Sequence, residues 1–342
     1  MIAFWFGVVA AMLSVYVVLD GFDFGAGALH LFVARTDGER RQVLASIGPV
    51  WDGNEVWLLA AGGTLFFAFP EAYASGFSGF YLPLMLVLWL LAIRGISIEL
   101  RSHLDDPLWR AFWDAALCGS SALMAIVLGA ALGNILRGVP LDAQGNFLAT
   151  WFTTFRTRGI VGVLDWYTVL LGVFTLLALM AHGAQFLIWR CEGAVQERAR
   201  QAARVLWPAV AVAGVLCALA TDRLRPELYT SLAQKPVAWP LPVVALGGLA
   251  AVFALRKREL APFLGSSAFL AGTLLATAAG LYPVMLPSTL NPAWSVTATA
   301  AAAGEHGLHV GLRWWLVGLP LAVSYTTYLF RTLRGKVSSS QA

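Results

Sequence analysis

Residues 2–33 read IAFWFGVVAAMLSVYVVLDGFDFGAGALHLFV, and the fold follows from what this stretch can and cannot do. The run is longer than the ~20 residues that an α-helix needs to cross a bilayer core. It lacks a basic opening and continues past signal-peptide length, so it is expected to be a retained first span. Within it sit Asp20 and Asp23, three residues apart and so on one helix face. Gly21, Gly25 and Gly27 around them would admit a second helix at close range. A carboxylate at the centre of a span costs about 2.5–3.5 kcal/mol on insertion scales. Such a face therefore turns to the interior of a bundle, and one span of this kind calls for others.

The rest of the chain supplies them. Of 342 residues, 59% are hydrophobic and only 12% charged, about half the charge of an ordinary soluble domain. Fourteen Trp and twenty Phe exceed what one soluble core of this length can hide. The composition excludes a soluble globular enzyme, a disordered chain and a nucleic-acid binder, and indicates an all-α polytopic membrane protein. Nine transmembrane helices are expected, over residues 2–33, 47–69, 79–100, 112–136, 160–188, 205–220, 239–255, 263–282 and 307–330. The net charge of +4 is then a matter of loops rather than of an anionic partner.

Loop charge gives the orientation. One alternating set of loops holds Arg35, Arg40, Arg41, Arg101, Arg110, Arg190, Arg198, Arg200, Arg204, Arg256, Lys257, Arg258, Arg331, Arg334 and Lys336. The other holds Arg137, Arg156, Arg158, Arg223, Arg225, Lys235 and Arg313. The richer side is expected in the cytoplasm, with the N-terminus outside and the C-terminus inside. A loose internal echo links residues 20–51 with 182–207: Asp20-Gly21 against His182-Gly183, then Arg35 against Arg190, and Trp51 against Trp207. It suggests two similarly oriented four-helix units, residues 1–136 and 160–282, with a ninth helix over 307–330 appended in one integral membrane domain.

In that orientation Asp20, Asp23, Asp52, Glu55, Arg94, Glu99 and Asp114 all fall in the cytoplasmic halves of the first four spans. Asp52 and Glu55 share a face of the second span, within Trp51-Asp52-Gly53-Asn54-Glu55-Val56-Trp57. Carboxylates gathered in one leaflet form a proton relay open to the cytoplasm if their faces point inward. Asp20, Asp52, Asp23, Glu55 and Asp114 are its candidate members. Arg94 and Glu99 suit helix-locking charge pairs, and Trp51 and Trp57 suit structural or interfacial roles. The other half offers little beyond Asp165, Glu305, His306 and Arg313, and one-sided access suits proton consumption better than the alternating access of a proton-coupled secondary transporter, the alternative. His30, His103, His182, His306 and His309 do not form a ligand set, and Cys118, Cys191 and Cys217 read as inert thiols. No metal site or cofactor motif is expected in this chain.

These segments resemble a known family. Asp20-Gly21-Phe22-Asp23-Phe24-Gly25, followed by Gly48-Pro49-Val50-Trp51-Asp52-Gly53-Asn54-Glu55-Val56-Trp57-Leu58, looks like the second subunit of cytochrome bd-type quinol oxidases. Arg94-Gly95-Ile96-Ser97-Ile98-Glu99-Leu100-Arg101, Trp109-Arg110-Ala111-Phe112-Trp113-Asp114 and Tyr282-Pro283-Val284-Met285-Leu286-Pro287-Ser288 agree with it. The likeness is dense over residues 15–140 and returns at 280–297, while residues 190–262 carry no motif that matches. The resemblance implies a heterodimer in a bacterial cytoplasmic membrane with a larger subunit of homologous fold. That partner would hold haem b, haem d and the quinol site, oxidising quinol outside and reducing oxygen to water with cytoplasmic protons. It further implies that Asp20 and Asp52 are the motif acids tied to the proton route, with Trp51 and Arg94 as structural neighbours.

Overall fold

The computed structural model describes residues 1–147, 150–333 and 335–338; Arg334 of the charge count lies outside them. Helix α1 (Ile2–Val33) has the bounds its apolar run predicts. Ala34 then turns extended, and a reciprocal capping box starts α2 (Asp37–Ile47). The Thr36 hydroxyl accepts from the Glu39 amide (3.3 Å) while the Glu39 carboxylate accepts from the Thr36 amide (3.1 Å), satisfying amides that a bare helix start leaves open. Gly48-Pro49 breaks the chain before α3 (Trp51–Ala68), and Phe69 alone separates α3 from α4 (Pro70–Gly79). Then come α5 (Tyr81–Leu100), α6 (Pro107–Arg137), α7 (Trp166–Arg190), α8 (Gly193–Leu224), α9 (Pro226–Ala233), α10 (Pro240–Ala254) and α11 (Leu260–Leu281). A two-stranded antiparallel ribbon, β1 (Val284–Leu286) with β2 (Val296–Thr297), leads through α12 (Ala298–Ala301) to α13 (Glu305–Thr332).

A helix stands at each of the nine expected places, but seven of the described helices are long and apolar enough to cross a membrane. The two that fall short are α3, whose 18 residues open on Asp52, Asn54 and Glu55, and α13, which carries Glu305, His306, His309 and Arg313 in its first turns. The fourth starts earlier than expected, at Pro107, after the Asp106 cap, and three other boundaries differ for local reasons. The second span loses its first residues because Gly48-Pro49 interrupts it. The fifth starts at Trp166 because Asp165 caps it, accepting from the Tyr167 and Thr168 amides at 2.8 and 3.0 Å. The sixth is the middle of a longer helix, whose charged opening turns continue above the apolar run.

Helix α1 lies at the centre, packed on α3, α6, α7 and α11. Its closest neighbour is α7: a methyl on Gly25 would collide with the Leu179 carbonyl and come within 2.8 Å of the Gly183 backbone. Phe22, next to this crossing, stacks on Phe186 with 4.0 Å between ring centroids. On another side Gly27 meets Ser121 of α6. The glycines around Asp20 and Asp23 thus seat two helices, and the acids ride on the same buried segment.

The basic loops converge on one end of the bundle. Arg198 bonds Glu39 across α8 and α2; Arg101 bonds Asp37 (2.9 Å); Lys336 and Arg200 both bond Glu259. The tail segment 335–338 joins this end too, with the Val337 amide donating to the Arg190 carbonyl (2.7 Å) and Gln42 donating to the Val337 carbonyl (2.6 Å). At the opposite end the α6–α7 loop pairs with residues beyond β1, Val139 with Ser288, and buried Arg137 is paired with buried Asp165.

Candidate functional site

Three helices supply the site. Asp20 projects from α1, Glu55 from α3 and Arg94 from α5, and both Asp20 and Arg94 are buried. One guanidinium nitrogen of Arg94 donates to Asp20 Oδ1, and the other donates to Glu55 Oε2 at 3.0 Å. Its carbon lies 4.3 Å from the centroid of the Phe24 ring, one turn beyond Asp20, and 5.9 Å from that of Trp51, so two aromatic faces help hold the cation. Asp23, one turn along α1, accepts from Asn54 Nδ2 (2.8 Å), which also donates to the Leu19 carbonyl (3.3 Å). Tyr16 places its buried hydroxyl beside Asp20 from the preceding turn.

The cluster is incompletely satisfied. Asp20 Oδ2, Asp23 Oδ1 and Arg94 Nε are buried without a hydrogen-bond partner among the described residues. Buried polar groups are nearly always bonded to protein or to water, and the Tyr16 hydroxyl beside Asp20 is likewise unbonded among the described residues. Two carboxylates, one shared cation and open acceptor positions can hold and pass a proton. A fully saturated ion pair would only brace the helices.

The sequence-derived candidates divide. Asp20, Asp23, Glu55 and Arg94 come together, with Trp51 at their edge. Asp52 is exposed, on the side of α3 that also exposes Val56 (53%) and Leu59 (72%). Trp57 is buried in the apolar core, and Glu99 is exposed without an ion pair among the described residues. Arg94 therefore pairs with Asp20 and Glu55 and not with Glu99.

Asp114 belongs to a separate cluster. Fully buried, it accepts from His30 Nε2 and Arg101 Nε (both 2.6 Å) on one oxygen, and from Arg40 (2.9 Å) and Arg101 (3.1 Å) on the other. Every lone-pair direction is used, and α1, α2, α6 and the end of α5 are tied together. Its geometry is that of a charge lock. Sequence reasoning left Tyr16, Asn54, His30, Arg40 and Arg101 out of the candidates. Tyr16 is four residues before Asp20, so helical spacing offered that signal; the docking of α2 that brings Arg40 to Asp114 left no periodic trace.

No three or more His, Cys, Asp or Glu side chains converge as a metal would require among the described residues. His182 has both ring nitrogens engaged, by Ser266 (2.7 Å) and the Val18 carbonyl (2.9 Å); His30 is held by Asp114; His306 and His309 are exposed. With their ring nitrogens so engaged, His182 and His30 do not fit a haem in this chain.

The comparisons with known proteins agree along the whole length. The profile of the cytochrome bd terminal oxidase subunit II family matches residues 1–333. The chain is 32% identical to cytochrome bd ubiquinol oxidase subunit 2 of Bacillus subtilis, covering 98% of this chain and 97% of that one. It is 30% identical to cytochrome bd-I ubiquinol oxidase subunit 2 of Escherichia coli K12, covering 98% and 94%. In fold it is similar to a chain of the bd oxidase from Geobacillus thermodenitrificans, with a TM-score of 0.75 at 20% identity over 97% of this chain and 98% of that one.

Proposed function

Because the chain belongs to the subunit II family of cytochrome bd terminal oxidases, and so is a multi-pass membrane subunit of a quinol oxidase complex, we propose that it delivers cytoplasmic protons to a larger haem-bearing partner. In this reading the partner holds haem b and haem d, oxidises quinol near the outer face of a bacterial cytoplasmic membrane, and reduces oxygen there. Reducing one O2 to two water molecules consumes four protons and four electrons, and the electrons come from two quinols. The haems supply the redox chemistry; the residues of this chain hold and move protons.

The observation that carries the reading is the Arg94-centred group of Asp20, Glu55 and Asp23 at the end where the basic loops gather. Glu55, 23% exposed, is the outer member. Asp20 is the inner one, and its free Oδ2 is the acceptor position. Arg94 keeps both carboxylates in register, because protonating either one leaves the cation paired with the other. With the Arg-rich end in the cytoplasm, the N-terminus lies outside and the relay opens inward.

The same reading gives nine crossings. An exposed carboxylate such as Asp52 on an apolar helix face is costly against lipid, so the α3 face of Asp52, Val56 and Leu59 turns to the larger subunit, and α13 completes the count beside it. Residues 1–136 and 160–282 then form two similar units meeting at Gly25 and Gly183, with residues 307–330 appended. A proton-coupled transporter is not favoured, since the family match spans nearly the whole chain.

The test is quinol-driven oxygen consumption by the complex with Asp20→Asn and Asp52→Asn, with haem spectra taken on the same samples. Unchanged haem with strongly reduced turnover is expected for Asp20→Asn. Full turnover with normal haem would make the cluster a brace only.

A further inference from the structure

Where the basic loops gather, four guanidiniums crowd around three carboxylates. Arg40 donates to Asp114 (2.9 Å), and Arg101 donates to both Asp114 (3.1 Å) and Asp37 (2.9 Å). Arg110 bridges Asp37 (3.3 Å) and Asp105 (2.7 Å), and Arg41 reaches Asp37 at 3.4 Å. The group carries one more positive than negative charge, before His30 is counted. Its donors are in surplus as well. Arg40 Nε, Arg101 Nη1 and Arg110 Nε are buried with no hydrogen-bond partner among the described residues, and Asp114 has no oxygen left for them. The Arg101 side chain, 2% exposed, forms the floor of the group, while Arg40 and Arg110 stand at its rim at 28% and 27%.

The rim borders a trough between α1 and α6. The two helices touch at Ala28, whose carbonyl accepts from Cys118 Sγ (3.2 Å), and at Gly27, which meets Ser121. One turn nearer the basic end, Leu31 and Phe32 continue that side of α1, and Ala111 and Ala115 continue that side of α6. There the packing stops. Leu31 and Phe32 are 38% and 67% exposed, and Ala111 and Ala115 are exposed. The trough therefore has large apolar side chains on one wall and small ones on the other, with Arg110, next to Ala111, at its head. With the Arg-rich end in the cytoplasm, its head lies at the level of lipid phosphates and its length among the acyl chains.

We propose that the Arg40–Arg101–Arg110 group binds the phosphate of an anionic phospholipid of the cytoplasmic leaflet, with an acyl chain lying in the trough between α1 and α6. A phosphodiester carries one negative charge, which cancels the surplus of the group, and its free oxygens accept from guanidinium nitrogens. Water would satisfy the open nitrogens and leave the charge uncompensated. A small anion would satisfy both and leave Leu31 and Phe32 bare. Basic pockets on the cytoplasmic side of membrane proteins hold phospholipid head groups in this way. A lipid seated here joins the inner ends of α1, α2, α5 and α6, the helices that Asp114 already ties together. The inference does not depend on the proton-delivery reading.

The experiment is native mass spectrometry of the whole delipidated complex titrated with phosphatidylglycerol, with haem spectra confirming assembly of every variant. Wild type is expected to hold one phosphatidylglycerol more tightly than the rest, and more tightly than zwitterionic phosphatidylethanolamine. Arg40→Gln and Arg110→Gln should each weaken that lipid about fivefold. Arg258→Gln, exposed at the same end but outside the group, should leave it unchanged. Ala111→Leu fills the trough and keeps every charge, so it should weaken phosphatidylglycerol and spare inorganic phosphate. Equal retention by wild type and both arginine variants would overturn the site. If inorganic phosphate displaces the lipid and Ala111→Leu retains it as wild type does, the group takes a free anion and the lipid assignment is overturned. Loss of the haem-bearing partner from the Ala111→Leu complex would mean that protein covers the trough, and would overturn it too.

Discussion

Replacing Arg94 by Met removes the cation that faces both Asp20 and Glu55. Asp20 would remain buried with no cation, and Glu55 would lose its 3.0 Å partner. Breaking a buried pair from one side costs about 3–5 kcal/mol. Asp20→Asn is the milder cut, because Arg94 keeps Glu55 and the new amide can still accept a hydrogen bond. Its expected cost is about 1–3 kcal/mol, the range for an imperfectly satisfied buried polar group. The double variant removes both opposed charges at once, and should cost less than the sum of the singles by about 1–3 kcal/mol. Membrane complexes unfold irreversibly, so the assay is the half-life of the haem absorbance of purified complex at one elevated temperature. If the barrier carries the full difference, about 1.4 kcal/mol is tenfold in that half-life. The reasoning is refuted if Asp20→Asn shortens the half-life as much as Arg94→Met, or if the double variant equals the sum of the two.

Three further outcomes follow from the geometry. Asp114→Asn should lower the yield and heat resistance of the complex while leaving turnover per haem unchanged, because Asp114 is saturated by His30, Arg40 and Arg101; reduced turnover per haem would return it to the proton route. Gly25→Ala should cost about 1–3 kcal/mol by overpacking the α1–α7 crossing, seen as loss of recoverable complex, whereas Gly7→Ala, with open space around it, should be neutral. The Arg198 fork, donating at 2.8 and 3.2 Å, holds the Glu39 carboxyl down from an ordinary 4.5 to about 2, with the Arg35 and Thr36 amides helping. A carboxylate depressed in the folded state stabilises fully above its unfolded value, and that stability is lost as the pH falls from about 4.5 towards 2. Glu39→Gln should flatten the pH dependence of the heat-inactivation half-life in that window; an unchanged profile would refute the assignment.

The sequence was most legible where burial and periodicity agree. The bounds of α1, the glycine-lined face of Asp20 and Asp23, and the inward turn of Arg94 all follow from the cost of charge in a bilayer. It was ambiguous where two acids share a helix. Asp52 and Glu55 are three apart, and spacing could not say that the helix rotates Glu55 towards Arg94 and leaves Asp52 outside, because that depends on which neighbours cover α3. The Asp114 lock was hidden for another reason. Its Arg40 comes from α2, a polar helix that hydropathy reads as a loop, although Thr36-Asp37-Gly38-Glu39 is a capping-box signal that could have located it. The seven long apolar helices against nine expected show the same limit. The polar opening of α3 and the Trp, Tyr, Thr and Pro residues spread along α13 keep these two helices below the apolarity of the other seven.

Asp20 and Arg94 are 74 residues apart in the chain, and that distance sets an order of events during synthesis. When α1 enters the bilayer, its two acids have no counter-charge, and each carries about 2.5–3.5 kcal/mol of insertion cost. Asp20 gains its counter-charge only when α5 arrives with the Arg94 guanidinium. A nascent chain that stops before residue 94 displays the Asp20 carboxylate without its cation in a membrane, which gives a quality-control protease a chemical mark of incompleteness.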